Sequence, residues 1–152
     1  MIGLAKFLLR NERGAATIEL AIAAPILTAL IIGTVQLSEA YSTKLELEQA
    51  AQATVERIQQ SGFDSTKLAA YKTEAATAAS VATTAVTIDY WTECNGTRQG
   101  SFSTACAAGQ VYAKYMNVDI TKSFTPMFST KLTGADTNGA YTLHGIAGIR
   151  FL

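Results

Sequence analysis

The sequence predicts an α+β protein: a long N-terminal transmembrane-plus-amphipathic helix packed on a small antiparallel sheet of about three strands, with a second helix between. Three observations predict it. Residues 20–38, LAIAAPILTALIIGTVQLS, form a run of nineteen residues without a charge. Apolar residues then recur at helical spacing as far as Ile58, and beyond residue 85 the apolar period changes from that of a helix to two.

The apolar run comes first. As a helix it spans about 28 Å, close to the hydrocarbon thickness of a bilayer. Only Thr28, Thr34 and Gln36 interrupt its apolar character, whereas a helix on the surface of a soluble core carries a polar face. Residues 15–38 therefore read as a membrane-spanning segment. Lys6, Arg10 and Arg13 precede it with one acidic residue, Glu12, while Glu39, Lys44, Glu46 and Glu48 follow. The positive excess on the N-terminal side places the N-terminus in the cytoplasm and residues 39–152 across the membrane. The chain carries 12 basic and 12 acidic residues. Without residues 1–14 the remainder is mildly acidic, which excludes the basic face a nucleic-acid binder needs.

The helix is expected to continue beyond the span over 39–61. Tyr41, Leu45, Ala51, Val55 and Ile58 lie on one stripe, with Glu46, Glu48, Gln52 and Glu56 elsewhere and Ser61-Gly62 as the stop. Asp64-Ser65-Thr66 looks like the N-cap region of a second helix over 65–82, with Leu68, Tyr71 and Ala75 on one face. Three strands fill 85–152. Val86, Ile88 and Tyr90 alternate with Thr87, Asp89 and Trp91. Tyr112, Met116, Val118 and Ile120 share a face of the second strand, and Tyr141, Leu143, Ala147, Ile149 and Phe151 share one of the third. A sheet late in the chain packs on the helix extension.

Cys94 and Cys106 flank a loop between the first two strands, outside the cytoplasm by the charge argument, where paired cysteines form disulfides. Closing so short a loop contributes about 3 kcal/mol in the chain-entropy model. A metal site would need further ligands, and the one histidine, His144, is far along the chain on a polar-facing strand position. No catalytic or metal-binding residue is assigned and no cofactor is expected: the sequence holds no nucleotide-binding glycine motif and no zinc-protease motif. Trp91, Tyr90, Tyr112 and Tyr115 are read as sheet packing in preference to an aromatic binding surface.

An ordinary secretory signal has an apolar core of about 7–15 residues. Here the run is longer, and a carboxylate, Glu19, sits five residues into the apolar stretch opened by Ala15. An ionisable residue in a span costs a few kcal/mol on insertion scales, unless it lies close enough to the headgroups to stay wet. The string Arg13-Gly14-Ala15-Ala16-Thr17-Ile18-Glu19, followed by an apolar helix containing Pro25, resembles the processing site of type IV pilin precursors. Within that superfamily it is most similar to the TadE-like pseudopilins of tight-adherence (Tad) pili, which share the Glu19-to-Pro25 spacing. The tail around residues 110–151 is more weakly similar to that family's C-terminal strands. Leu20 stands where the short major subunits usually carry Tyr, and a long body follows. Both departures favour a minor pilin or pseudopilin, with a long major filament subunit as an alternative.

The resemblance implies a bacterial protein whose basic leader, residues 1–14, is removed by a prepilin peptidase after Gly14, leaving Ala15 as the new N-terminus. It implies a chain in the inner membrane with a periplasmic body, free to leave the lipid for a filament or its assembly complex that serves adhesion. The implied partners are other pilin subunits through helix bundling, the peptidase, the membrane assembly machinery and inner-membrane lipid. Glu19 and Pro25 carry assembly and register: a bundled Glu19 is costly unless paired, and the Ala15 amine of a neighbour supplies the partner. Pro25 and Gly33 either let the helix unwind on packing or are simply tolerated, as such residues are in membrane helices. The competing class is an uncleaved single-pass protein whose body binds a partner, which needs neither Gly14 nor Glu19. In a bacterial protein Asn95-Gly96-Thr97 is a turn and not a glycosylation acceptor.

Overall fold

The structure, a computed structural model, describes residues 12–127 and 134–151, with backbone alone at 12, 13 and 15. Most of the expected leader lies outside the described residues. Helix α1 runs Glu12–Ser61, 50 residues. It therefore begins before the expected Ala15, because nothing in Glu-Arg-Gly forbids a helix and an interior Gly costs about 1 kcal/mol. Gly62, at φ +76°, ends it in the left-handed conformation that glycine adopts without strain. The chain divides into two compact units between Glu39 and Ala40.

In the second unit Asp64 opens a 3-10 turn, Ser65–Lys67, by accepting from the Thr66 backbone N–H at 2.9 Å and the Thr66 hydroxyl at 2.7 Å. Helix α2 follows at Leu68–Ala78. It is shorter at both ends than the expected 65–82, since the first turn is 3-10 and Ser80 turns left-handed at φ 52°. There the Val81 N–H donates to Ala76 O at 2.9 Å and the Ser80 N–H to Thr77 O at 3.2 Å. These two bonds form a Schellman stop built without glycine.

The sheet has four strands and not the three expected: β1 Val86–Cys94, β2 Thr97–Arg98, β3 Tyr112–Phe124 and β4 Tyr141–Phe151. All neighbours are antiparallel, in the order β2-β1-β3-β4. The additional strand is a two-residue return after Asn95-Gly96, whose φ values of 50° and 77° are those of a type I′ hairpin. The inner face of the sheet carries Val86 and Ile88 of β1 with Met116, Val118 and Ile120 of β3. They pack with Leu47, Ala51, Val55 and Ile58 of α1 and Tyr71 and Ala75 of α2. Tyr112 shares their side of β3 but stays exposed.

The stripe of α1 that enters this core is Leu47, Ala50, Ala51, Thr54, Val55 and Ile58. Tyr41 and Leu45, expected on it, remain exposed, since the helix meets the sheet only from Leu47 onward. Helix and sheet approach closely at Gly145 of β4: a Cβ there would collide with the Leu47 carbonyl carbon and oxygen. Strand and helix backbones touch at that point, and only a residue without a side chain allows it.

Candidate assembly site on the N-terminal helix

A 46-residue stretch of α1, from Ala16 to Ser61, contains a window long and apolar enough to cross a membrane, none of it buried within the chain. Side chains such as Ile18, Leu20, Ile22, Leu30 and Leu37 stand exposed around the helix. An all-round apolar surface suits lipid or other helices, not a one-sided core. Polar groups in this stretch are satisfied locally: the Thr28 hydroxyl donates to Ala24 O and that of Thr34 to Leu30 O, each at 2.8 Å. Such back-bonding lets threonine sit in hydrocarbon without an orphan donor.

Glu19 differs. It is exposed, and no hydrogen bond or ion pair joins it to a described residue. Gly14 and Ala15 lie one turn before it on the same helix, and a Cβ at Gly14 would meet nothing within 4 Å. Pro25 sits inside α1, two turns past Glu19. The four residues expected to carry processing and register are thus on one helix, with Ala15 and Glu19 an i, i+4 pair on one face.

The second unit is held by different chemistry. Cys94 and Cys106 are disulfide-bonded, with Cα atoms 5.6 Å apart, as expected from the sequence. Thr92, fully buried, fastens the enclosed loop: its hydroxyl donates to Phe102 O and its carbonyl accepts from the Gln99 N–H, both at 2.8 Å. Phe102 in turn packs edge-on to Phe63 and Tyr90, with ring centroids 4.8 and 5.4 Å away. No sequence pattern marks Thr92, because one threonine among twenty looks like any other strand residue.

The aromatic residues weighed as a possible surface divide between faces. Trp91 and Tyr115 stack at 5.4 Å on the outer face, with the Arg98 guanidinium 4.6 Å from the Trp91 ring centre. Arg98 also pairs with Asp89 at 2.8 Å, and the Trp91 indole donates to Glu93 at 2.8 Å. Tyr90 faces inward. His144 is exposed on the outer face, its Nδ1 3.1 Å from Asp119.

An α+β chain with one helix long and apolar enough to cross a membrane, and near its start a carboxylate with no partner among the described residues, is the class of protein these features define. Residues 14–56 match the family model described as TadE-like protein. The match opens at Gly14 and stays within α1, so the likeness covers the N-terminal helix alone. The weaker likeness of residues 110–151 lies outside the matched residues. No curated protein and no solved structure matches the chain.

Proposed function

We propose that the chain is a Tad minor pilin or pseudopilin, cut by a prepilin peptidase after Gly14 and drawn by α1 from the inner membrane into a pilus or its assembly complex. The observation that carries this reading is Glu19, an exposed carboxylate without a partner among the described residues, in the first turns of a helix whose residues 20–38 are uncharged. In lipid its depth is shallow enough for headgroup water to reach it; in a helix bundle it needs an opposite charge. Cleavage after Gly14 creates one, the α-amine of Ala15, at the level where a neighbouring helix presents Glu19. Removal of Lys6, Arg10 and Arg13 with the leader also releases the cations that hold the N-terminus to the cytoplasmic surface.

Glu19→Ala tests the pairing. The variant is expected to insert and to be processed as the wild type, yet to be absent from sheared filaments or from the pull-down of its assembly complex. Incorporation at the wild-type level would refute the role of Glu19. Gly14→Arg is expected to leave the precursor at full length.

A further inference from the structure

Glycine inside a strand weakens it, and where it stands it marks a bulge, a closely approaching backbone or a ligand. Strand β4 holds two, Gly145 and Gly148. The Leu47 backbone accounts for Gly145. It does not account for Gly148, which is exposed on the opposite, outer face of the sheet. The register runs through this position without a bulge, Asn117 opposite Gly148 and Tyr115 opposite Arg150, and Gly148 is not among the glycines at positive φ. A Cβ there would stand 3.3 Å from Met116 O and 3.4 Å from Asn117 Oδ1, with no atom of an element other than β3 within 4 Å among the described residues. That is a tight fit and not a collision. Of the three causes, a ligand is left.

At Gly148 the outer face opens into a cleft of about 300 Å³, whose walls include Trp91, Tyr115, Asn117 and Arg150. That volume is at the lower end of the range for small-ligand sites. Trp91, Tyr115 and Arg150 stand in register across β1, β3 and β4. Trp91 stacks on one face of Tyr115, the rings 17° from parallel, and the Arg98 guanidinium lies over Trp91. The second face of Tyr115 therefore turns toward β4 and forms a flat, half-exposed apolar wall. Facing it, Arg150 offers a planar fork of N–H donors and Asn117 both a donor and an acceptor. Carboxylates on the same face are engaged elsewhere: Asp89 with Arg98, Glu93 with the Trp91 indole and Asp119 with His144.

We propose that this cleft binds a saccharide bearing a carboxylate, a hexuronic acid unit of a glycan. A pyranose ring has an apolar C–H face and a rim of hydroxyls. The face lies against Tyr115, in the space that a side chain at position 148 would fill. The carboxylate meets the Arg150 guanidinium, whose geometry suits bidentate pairing, and Asn117 takes the neighbouring hydroxyls. Charge selects the acid over a neutral sugar: among the described residues of the lining there is one cation, Arg150, and no carboxylate. A protein partner fits less well. The core of a protein interface is depleted of charge, whereas Asp89, Glu93, Asp119 and His144 share this face, with Ile146 the one large aliphatic residue exposed on it. The site lies wholly in the second unit and does not depend on the processing or assembly of α1.

The test uses the full chain in detergent. Trp91 is the one tryptophan, so intrinsic emission reports on this cleft. The probes are the trimers of galacturonate, glucuronate and mannuronate, each with its methyl ester as an uncharged counterpart of the same shape. A saturable change in Trp91 emission is expected with at least one acid trimer, and binding weaker by about tenfold or more for its ester. Arg150→Gln, at an exposed position, is expected to bring acid and ester to the same affinity. Gly148→Thr places a strand-compatible side chain in the cleft and is expected to abolish the response to both. Formation of the Cys94–Cys106 bond and an unchanged circular dichroism spectrum report folding, and Arg150→Gln carries the test alone if Gly148→Thr does not fold. No response to any of the acids, equal affinity for acid and ester, or a preference for the acid that survives Arg150→Gln would overturn the proposal. Emission that shifts with chain concentration and not with sugar would also overturn it, and would assign the face to a second copy.

Discussion

The two halves of α1 are one continuous helix written for two different surroundings. Between Ile18 and Leu37 apolar side chains stand exposed on every side, threonine hydroxyls turn back on the helix's own carbonyls, and the lone carboxylate has no partner among the described residues. From Leu47 to Ile58 the apolar residues form a single buried stripe, while the other faces carry exposed charge pairs, Lys44 with Glu48 at 3.6 Å and Arg57 with Glu74 at 3.3 Å. Exposed pairs of this kind contribute at most about 1 kcal/mol each, so burial and not charge holds the second half to the sheet. The halves differ in charge and in where their apolar residues lie. Residues 20–38 are uncharged and apolar all round, as lipid or other helices require. From Leu47 to Ile58 the apolar residues are one-sided among charged and amide side chains, as a core requires.

Substitutions in the second unit should therefore unfold the body without disturbing insertion or processing of the first half. The largest effect is expected at Gly145. Gly145→Ala forces a methyl into the Leu47 backbone, which cannot yield as a side chain would, and a loss above about 4 kcal/mol is expected, at the severe end for single substitutions. Thermal melting of the detergent-solubilised chain reads it, with the Tm of the body collapsing while the membrane-inserted fraction is unchanged. Replacing both Cys94 and Cys106 by Ser removes the loop constraint and should cost about 3 kcal/mol; reductant should lower the wild-type Tm to that of the double variant and leave the variant unmoved.

Thr92→Val keeps the shape and removes the donor to Phe102 O. A loss of about 1–3 kcal/mol is expected from the stranded carbonyl, seen first as faster proteolysis within residues 95–105. Ser80→Gly moves the other way. A left-handed L-residue costs roughly 1–2 kcal/mol, partly offset by the chain entropy of glycine, so the Tm should rise by the equivalent of up to about 1 kcal/mol.

The smallest effect is that of pH at Asp64. Hydrogen bonds from the Thr66 hydroxyl and then its backbone N–H hold this carboxyl below its usual range. A depressed carboxyl stabilises the fold fully above its unfolded pKa, and that contribution is lost as pH falls through the folded value. The Tm of the wild type should drop slightly more than that of Asp64→Ala below the ordinary carboxylate range, and an equal drop in both would remove this role.

Much of this architecture was legible because periodicity reports burial. The run 20–38, the alternation in β1, β3 and β4, and the two cysteines each state their environment in residue type and spacing. What escaped depends on partners distant in sequence. Gly145 is one of eleven glycines, and only the α1 backbone behind it makes it irreplaceable. The stripe of α1 is Leu47 and Thr54 instead of Tyr41 and Leu45 because the sheet's position decides which turns are covered. The α2 stop was hidden because serine fills the place of the usual glycine. Strand β2 was within reach, since Asn-Gly after an alternating run is a strong hairpin signature. For the proposed assembly site, Gly14, Ala15, Glu19 and Pro25 stand in the sequence as a motif of residue type and spacing.

The measurement that bears most directly on the account is N-terminal sequencing of the chain extracted from membranes of a host carrying a prepilin peptidase. The account predicts a mature chain starting Ala15-Ala16-Thr17-Ile18-Glu19. An intact Met1, or a start beyond Glu19, would contradict it.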